Sequence, residues 1–410
     1  MKTAGIVSIG NELLSGRVTD TNAAWLGRQL RLVGIDVTSC YTVGDDIESI
    51  VKMLKYACVD CDVVLVTGGL GPTDDDVTRQ AVAKLLGVEL EFHPELLEKI
   101  EQYFACRCLK MVTKNEIQAY IPAASEAIAN NAGTAPGFAA EFNGRKIFVM
   151  PGVPREMEKM FAESVLDQIK QSANGQKIAV QKLYCCGTGE SNIAEKLGDL
   201  MRRDRNPLIN CTASAGMITL EVVAKAQTSQ KAKQMVAEDV KLLGGILGEL
   251  VFGTDDETLA SAVGEKLRSQ NKTLAVAESC TAGLLAKMIT DPAGSSDYFL
   301  GGWITYSNES KIAHLGVKAD TIKKYGAVSK QAAEEMADGV RAKSGADFAI
   351  SITGIAGPGG GTDEKPVGLV YITISCQDGC ETGRFIFGGN RAAIRLRTAI
   401  TALNMLRLRR

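Results

Sequence analysis

The sequence predicts an α/β protein with two three-layer α/β/α domains joined by a small α+β domain. The chain has 410 residues, which at about 150 residues per domain corresponds to two or three domains. Apolar residues make up 45% and charged residues 23%, as in ordinary globular proteins. In the first and last parts, short apolar runs that end at glycine alternate with segments of helical spacing. That alternation is typical of a parallel sheet with helices on both faces.

The first α/β domain is predicted over residues 1–170. Residues 3–10 (TAGIVSIG) and 62–69 (DVVLVTGG) are apolar runs ended by glycine and predict buried strands. Residues 21–33 have apolar side chains at helical spacing and predict a helix. The other predicted elements are strands at 36–43 and 145–152, and helices at 47–57, at 76–86 and up to residue 169.

The small α+β domain is predicted over residues 176–252. The polar stretch QSANGQK (171–177) predicts a linker before it. Residues 177–227 contain two strand-like runs around a helix at 189–201, and a second helix follows at 232–243.

The last α/β domain is predicted over residues 253–410. It begins with a helix at 257–269, and a strand-like run at 273–279 leads into a predicted helix at 280–290. The remaining predicted elements are buried strands at 347–354 and 367–374 and a final helix from about 390 to 408.

The low histidine content excludes several classes of site. Histidine occurs only at His93 and His314, so HExxH zinc sites and three-histidine metal sites are excluded. Hydrolysis by this chain would then use lysine, carboxylates or a metal held by oxygen ligands. The net charge of −2 gives no strong field for nucleic acid or an anionic membrane, so neither is an expected partner.

Cysteine usage and hydropathy bear on location. Eleven cysteines are scattered along the chain, and this odd number is typical of reduced thiols. The first residues, MKTAGIVSIG, lack the long apolar core of a signal peptide, and no apolar run approaches the ~20 residues of a membrane span. We therefore expect a cytoplasmic protein.

A glycine-rich turn, TGGLGPTDDDVT (67–78), follows one of the predicted buried strands. Parallel α/β sheets bind ligands at the carboxyl ends of their strands. Gly68, Gly69 and Gly71 would let the backbone approach a ligand and offer N–H groups to phosphate. The structural alternative is a tight turn with an aspartate N-cap.

Acidic side chains accompany three strand-end turns of the first domain. Three aspartates (74–76) follow the glycines, SIGNELLSG (8–16) carries Glu12, and TVGDD (42–46) carries Asp45. The ends of parallel strands converge, so these turns would meet in one crevice. Carboxylates repel phosphate unless a divalent cation bridges them, which favours magnesium or manganese and a phosphorylated ligand.

AESCTAG (277–283) places Ser279 where a predicted strand passes into a predicted helix. The hydroxyl would then lie near free N–H groups at the helix start, which would make a workable oxyanion hole. The structural alternative is a plain serine N-cap.

YSNESK (306–311) supplies a base for such a serine. Because histidine is scarce, Lys311 is the natural candidate, as in serine–lysine variants of the catalytic triad. The lysine would have to be neutral, so burial or a nearby cation must lower its pKa. Tyr306 would relay a proton or orient the lysine, and the alternative for Lys311 is a solvated surface residue.

A second glycine loop, SITGIAGPGGGTDEKPVG (351–368), follows another predicted strand, with Thr353 at the strand end. The loop is a candidate to enclose a ribose phosphate, and a flexible loop is the alternative. Arg391 begins the last predicted helix although cations prefer helix C-termini, which points to a ligand phosphate or carboxylate.

Cysteines leave two alternatives open. The pairs at 58 and 61 and at 106 and 108 would together supply four thiolates for zinc, although the spacing is unusual. Cys280 adjoins Ser279 and would be a rival nucleophile if it paired with His314.

Taken together, these motifs resemble the CinA family of bacterial competence/damage-inducible proteins over nearly the whole chain. The first domain resembles the molybdopterin-binding domain of molybdenum cofactor biosynthesis proteins, through SIGNELLSG, DTN (20–22), TGGLGPTDDDVT and PGVPREM (151–157). The middle domain resembles the family's KH-like domain through GTGES (187–191). The last domain resembles nicotinamide-nucleotide amidase through AESCTAG, YSNESK, TGIAGPGGG and KPVG.

The resemblance implies a serine amidase that converts nicotinamide mononucleotide to nicotinate mononucleotide and ammonia, returning pyridine nucleotide to NAD synthesis. Carried over by motif, Ser279 is the nucleophile and Lys311 the general base, and no cofactor is required. Tyr306 and Thr353 are the other catalytic residues. The substrate-binding residues of this site would be Arg391, Gly357, Gly359 and Gly360.

The resemblance also implies a metal-dependent ADP-ribose pyrophosphatase in the first domain, and a homodimer. Asp45, Asp75 and Asp76 would hold the divalent metal, magnesium or similar. The substrate-binding residues would be Glu12, Asn22, Gly68, Gly69, Gly71 and Thr73. The alternative for this domain is a non-catalytic nucleotide- or pterin-binding module.

Three positions depart from the family pattern. Ala282 stands where the amidase motif usually has a second glycine, Asn390 replaces an aspartate, and Asp74 occupies a position that is often histidine. None of them removes a proposed catalytic group.

Overall fold

The structure is a computed structural model that describes residues 3–171 and 177–409. Residues 172–176, the body of the predicted linker, lie outside the described residues. The chain divides into two compact units, residues 1–179 with 224–234 and residues 180–223 with 235–410. No helix in the described ranges is long and apolar enough to cross a membrane.

A six-stranded sheet organises the first unit, in the order β2-β1-β3-β8-β7-β6. The first four strands in this order run parallel, and the last two run antiparallel to their neighbours. A separate two-stranded sheet pairs β4 with β5. The strands are β1 Thr3–Ile9, β2 Asp36–Val43, β3 Val63–Thr67, β4 Leu90–Phe92, β5 Tyr120–Pro122, β6 Glu126–Ile128, β7 Gly137–Phe142 and β8 Arg145–Met150.

Helices cover both faces of this sheet. Val7 and Val64 belong to the apolar core on one face of the sheet. Their sequence neighbours Ile6 and Leu65 point to the opposite face and belong to a second core. The sheet is therefore the middle of three layers. The helices are α1 Asn11–Leu14, α2 Thr21–Leu32, α3 Ile47–Asp60, α4 Thr78–Leu86, α5 Pro94–Ala105, α6 Pro154–Met160 and α7 Leu166–Gln171.

A four-stranded sheet in the order β10-β11-β9-β12 forms the small α+β part. Its long strands alternate buried and half-buried residues, so one face packs against apolar side chains. The elements are β9 Lys177–Cys186, α8 Glu190–Leu197, β10 Leu208–Ser214, β11 Met217–Ala226, α9 Ser229–Leu247 and β12 Val251–Thr254.

A five-stranded sheet forms the last part, in the order β14-β13-β15-β16-β17. The first three strands in this order are parallel, and β16 and β17 are antiparallel. Its strands are β13 Leu274–Glu278, β14 Phe299–Ile304, β15 Phe348–Gly354, β16 Leu369–Cys376 and β17 Gly379–Ile386. Its helices are α10 Leu259–Ser269, α11 Leu284–Thr290, α12 Asn308–Leu315, α13 Ala319–Tyr325, α14 Lys330–Ser344 and α15 Arg391–Leu408.

The predicted fold class is confirmed: two three-layer α/β/α parts and a small α+β part. Two details differ. Both large sheets are mixed, because hairpins such as the one at Asn143–Gly144 reverse the chain without a crossover helix. The predicted helix at 280–290 begins only at Leu284, after a turn.

Candidate active site

Ser279 stands at the carboxyl end of β13, between the parallel neighbours β14 and β15. Its main-chain N–H donates to the Ile352 carbonyl of β15 at 3.0 Å, which fixes the residue to the sheet. The side chain is buried, and residues 279–283 form a turn before α11. This is the edge at which α/β sheets bind ligands.

Glu278 closes the N-terminus of α11. Its buried carboxylate accepts the main-chain N–H groups of Gly283 at 2.9 Å, Leu285 at 3.1 Å and Ala286 at 2.8 Å. These three N–H groups are therefore not free for the predicted oxyanion hole, because Glu278 already accepts them. Glu278 was not among the residues predicted from the sequence, although an acidic residue directly after the apolar run LAVA is an available signal.

Other N–H groups in the turn stay available. In the described ranges, the main-chain N–H groups of Cys280 and Thr281 donate to no backbone oxygen. They directly follow Ser279 in the chain, and successive N–H groups in a tight turn form concave anion sites. These two groups are the better candidates for stabilising an oxyanion.

Lys311 lies on α12, whose N-cap Ser307 accepts the N–H of Ser310 at 3.1 Å. The Lys311 side chain is buried, and its Nζ lies 3.0 Å from Ser279 Oγ. Nζ also donates to the carbonyl oxygens of Thr305 at 2.8 Å and Tyr306 at 3.2 Å. The predicted nucleophile and base are thus within hydrogen-bond distance of each other.

The burial of Lys311 acts in the direction of the neutral amine. Burial lowers its pKa below the ordinary value of 10.5, against the opposing influence of Cys280 and Glu309. A neutral amine has two protons to donate to the carbonyl oxygens of Thr305, Tyr306 and Ser307, and one lone pair that remains for the Ser279 hydroxyl. The same carbonyls would stabilise the ammonium ion once it takes the serine proton.

The backbone and the phenol of Tyr306 contact two different side chains of the candidate site. Its carbonyl helps to orient Lys311, whereas its exposed phenol oxygen accepts a hydrogen bond from Arg391 Nη2 at 2.9 Å. The phenol bonds neither Lys311 nor Ser279 in the described structure. A proton relay through the Tyr306 hydroxyl therefore lacks support, and orientation of the lysine is the contact that is present.

Thr353 is buried at the end of β15, and its hydroxyl donates to the Ala327 carbonyl at 2.8 Å. Lys365 donates to the carbonyls of Tyr325 at 2.6 Å and Val328 at 2.8 Å. Both side chains therefore hold the 325–328 segment in place. In this geometry Thr353 positions the 325–328 segment and makes no hydrogen bond to Ser279 in the described ranges.

The predicted glycine loop lies against Arg391 at the start of α15. Arg391 Nη1 donates to the Gly357 carbonyl at 2.8 Å. Gly357 and Gly360 have positive φ angles of 75° and 85°, and a Cβ at Gly359 would meet open space. The guanidinium and the open side of the loop together form a surface suited to a phosphate group.

Arg395, one helical turn after Arg391, fixes the carbonyl side of the nucleophile turn. Its Nη2 donates to the Thr281 carbonyl at 2.6 Å. Glu278 accepts N–H groups of the same turn and of the start of α11. In this turn the main-chain N–H of Gly283 is thus bound by a carboxylate and the main-chain carbonyl of Thr281 by a guanidinium.

Ala282 adopts a left-handed backbone conformation, with φ of 46°, in the nucleophile turn. Such a φ costs a residue with a Cβ roughly 1–2 kcal/mol, and the exposed Ala282 side chain loses little burial if removed. We expect Ala282→Gly to raise the free energy of unfolding by about 0.5–1 kcal/mol, measured by denaturant unfolding. Gly283→Ala, at φ of 90°, should lower it, and a destabilised Ala282→Gly variant would contradict the strain assigned to Ala282.

Cys280 is a poor rival nucleophile. It is buried in the apolar core of this domain, and burial raises the pKa of its thiol to about 11. His314, its proposed partner, lies on the exposed face of α12. The thiol would therefore stay protonated at neutral pH.

The predicted glycine turn of the first unit lines a cavity of about 510 Å³. A Cβ at Gly68 would lie 2.2 Å from the Ile9 carbonyl oxygen, and one at Gly69 would lie 2.1 Å from Thr78 Oγ1. Glycine is therefore required at both positions for close packing. Glu12 and Gly71 also line this cavity.

Asp76 and Arg79 fix this glycine turn. Asp76 accepts the N–H groups of Gly71 at 2.8 Å and Thr73 at 2.9 Å, together with the Thr73 hydroxyl. The buried Arg79 donates to the carbonyls of Leu70 and Gly71, both at 2.7 Å. Asp76 thus anchors the glycine turn, and its role as a metal ligand stays a prediction. Arg79 was not predicted from the sequence.

Asn22 and Thr73 also make contacts of their own. Asn22 is buried and its Nδ2 donates to the Gly152 carbonyl at 2.8 Å, while its Oδ1 has no partner in the described ranges. The Thr73 hydroxyl bonds the carboxylates of Asp75 and Asp76. Asn22 therefore holds the 151–153 turn that lines the cavity, and Thr73 stabilises its own loop.

The acidic side chains do come together. Burial raises the pKa of Asp45, the charges of Glu12, Asp75 and Asp76 raise it further, and the N–H of Asn11 opposes them. A cation would relieve this repulsion. However, no three His, Cys, Asp or Glu side chains in the described ranges are arranged to hold a metal by themselves, which applies equally to the cysteine pairs considered for zinc.

Magnesium ordinarily takes one or two carboxylates and completes its shell with water and substrate phosphates. Asp45 and Asp75 fit that pattern, because Asp75 is exposed and both line the cavity. The donor set therefore suits a metal that is shared with a bound diphosphate rather than one held by the protein alone.

Three family models match successive parts of the chain. Residues 5–171 match the "Probable molybdopterin binding domain", residues 181–253 the "Damage-inducible protein CinA KH domain" and residues 256–409 the "CinA C-terminal domain".

Similar proteins carry related names. A competence-damage inducible protein from Halothermothrix orenii is 44% identical over 98% of this chain and 97% of its own length, and one from Moorella thermoacetica is 42% identical over 98% and 97%. A crystal structure of a competence/damage inducible protein from Agrobacterium tumefaciens is 43% identical, covering 36% of this chain and 91% of that chain with a TM-score of 0.36.

Proposed function

Because the chain belongs to the CinA family, we propose that its C-terminal domain is a serine–lysine amidase that converts nicotinamide mononucleotide to nicotinate mononucleotide and ammonia. The observation that carries this proposal is the buried pair of Lys311 Nζ and Ser279 Oγ at 3.0 Å. A lysine with a lowered pKa beside a serine hydroxyl is a nucleophile with its base.

In the first half-reaction, Lys311 takes the Ser279 proton while Oγ attacks the carboxamide carbon. The N–H groups of Cys280 and Thr281 stabilise the oxyanion that forms. The C–N bond then breaks, the Lys311 ammonium returns the proton to the leaving nitrogen, and ammonia departs from an acyl-serine ester.

In the second half-reaction, Lys311 takes a proton from water, and the resulting hydroxide attacks the ester carbon. The C–Oγ bond breaks, Ser279 recovers its proton from Lys311, and the nicotinate carboxylic acid is released and ionises. We expect no metal requirement, because Lys311 supplies the base and backbone N–H groups the electrophilic assistance.

Recognition of the nucleotide would rest on Arg391 and the glycine loop. Arg391 already donates to Gly357 and Tyr306, and its guanidinium is exposed, so an incoming phosphate would join an ordered cation. This arrangement supports a substrate with a phosphate rather than a bare amide.

The test measures ammonia from the full chain with nicotinamide mononucleotide and with nicotinamide riboside, each with and without a metal chelator. We expect ammonia and nicotinate mononucleotide in stoichiometric amounts, with the chelator having no effect. Release that is equally efficient from the riboside would contradict the role of Arg391, and no release from either would contradict the amidase.

The acidic cavity of the first unit supports a second candidate, hydrolysis of the diphosphate of ADP-ribose with a divalent metal. Asp45 and Asp75 would hold the metal together with the substrate, and the metal would neutralise diphosphate charge. Non-catalytic binding of a nucleotide or pterin is the alternative, and ligand binding without turnover across several divalent metals would favour it.

We also propose that the protein is a homodimer and that it is located in the cytoplasm.

Neighbouring aspartates provide a matched test of this second activity. Asp75→Asn should reduce magnesium-dependent AMP release from ADP-ribose by about 10²-fold, because a shared metal ligand is lost. Asp74→Asn, whose carboxylate pairs with Lys114 at 2.9 Å and is 93% exposed, should leave it unchanged. Equal effects of the two substitutions would contradict a specific role for Asp75, and ammonia release should persist in both.

A further inference from the structure

A second cavity in the unit that carries Ser279 has no assigned role. It encloses about 580 Å³, within the range of small-molecule sites, and shares no lining residue with the proposed active site. It lies beside the small sheet and the start of α10.

The inner wall of this cavity is aromatic and apolar. The Tyr184 and Phe252 rings stack at 5.9 Å with an angle of 18°, and both residues line the cavity. Met217 and Met288 add polarisable thioethers. Such a wall suits a flat apolar group.

The lining of the cavity carries four carboxylates, one of which is paired with a lysine. Asp255, Asp256, Glu257 and Asp291 line the cavity, and none of the described lining residues is Lys, Arg or His. Asp291 pairs with Lys287 at 2.7 Å, and Asp255 and Glu257 accept main-chain N–H groups. Asp256 is exposed and makes no hydrogen bond or ion pair in the described ranges, so its charge is available.

The Tyr184 phenol agrees with a negative potential inside the cavity. Burial raises the pKa of the Tyr184 phenol, and the charges of Asp255 and Asp256 raise it further.

We propose that this cavity binds a small organic cation with a flat apolar body. The aromatic wall would take the flat group, and Asp256 with its acidic neighbours would take the cation, which also gains from the aromatic faces. This proposal does not rest on the amidase.

Tryptamine and tryptophol make a matched pair of probes, because a hydroxyl in tryptophol replaces the ammonium group of tryptamine. Isothermal titration of the full chain should show saturable 1:1 binding of tryptamine, about 10-fold tighter than tryptophol, since one exposed ion pair and one cation–π contact differ between them. Asp256→Asn should remove this preference, and Phe252→Ala should weaken both ligands. Asp320→Asn, the same charge change on an exposed residue of α13, should change neither affinity.

Three results of the titration would overturn the proposal. They are no saturable tryptamine binding, equal affinities for tryptamine and tryptophol, and a preference that survives Asp256→Asn, which would place the probe at another site. A dimer whose dissociation is needed for tryptamine to bind would also overturn it, because a second copy of the chain would then cover the cavity. Since the readout is binding, failure here leaves the amidase proposal untouched.

Discussion

Replacing Ser279 with alanine is expected to abolish ammonia release from nicotinamide mononucleotide, with kcat falling about 10³-fold or more. The hydroxyl supplies the atom that attacks the carboxamide, and Lys311 has no other hydroxyl within hydrogen-bond distance in the described ranges. Removal of one oxygen from this buried position should leave the fold intact. Ammonia assays and the thermal unfolding midpoint of the variant check both statements.

Cys280→Ala is the matched control for this prediction. The thiol adjoins the nucleophile but is buried and held protonated, with its pKa raised to about 11 by burial, so most activity should remain. An inactive Cys280→Ala variant with an active Ser279→Ala variant would reverse the assignment of the nucleophile. If both variants lose activity while their unfolding midpoints stay at the wild-type value, the activity depends on the conformation of the turn rather than on one side chain.

Lys311→Met should lower kcat by about 10²–10⁴-fold, the usual contribution of a general base. Methionine keeps the length and apolar stem of lysine, so the buried position stays filled. Lys311→Arg should be equally inactive, because a guanidinium stays protonated at neutral pH. Lys323→Met, on the exposed side of α13, should retain activity.

The pH dependence of the wild type has a defined sign. Burial lowers the pKa of Lys311, and the amine acts only when neutral, so kcat/KM should rise with pH through this lowered pKa and level off below the ordinary 10.5. The unfolded chain binds this proton more tightly than the folded chain does. The wild type should therefore gain stability relative to Lys311→Met as pH rises from the folded-state pKa towards 10.5.

A falling or flat limb of kcat/KM in this range would contradict Lys311 as the base. Full activity in Lys311→Met would contradict it independently of pH. Unfolding measured across the same pH values separates a loss of base from a loss of structure.

Strand ends and their turns were predictable from sequence because they depend on local signals. An apolar run followed by glycine or serine identified the ends of β1, β3, β13 and β15, and the scarcity of histidine favoured Lys311 as the base of Ser279. What the motifs did not predict was which atom of each residue is used. Tyr306 supplies its carbonyl to the lysine and its phenol to Arg391, and no pattern in YSNESK distinguishes these two contacts.

Residues that act at a distance in sequence were missed for a different physical reason. Glu278 ends an apolar run and reads as the last residue of a strand, although its carboxylate binds N–H groups five to eight positions later. The Asn143–Gly144 hairpin has a known local signal, with φ angles of 51° and 74°, and its second strand β8 was predicted, but its first strand β7 was not. Helix α11 begins late because Ala282 and Gly283 leave the helical region.

The hold of Arg395 on the Thr281 carbonyl has a consequence for protein engineering. These two residues are 114 positions apart in the sequence. The AESCTAG segment therefore does not contain all the residues that fix the conformation of its own turn. A shortened chain that ends before α15, or a scaffold that receives the motif alone, would keep the nucleophile and lose the arginine that shapes its turn. Relatives and designs are therefore better judged by the motif and the final helix together than by either alone.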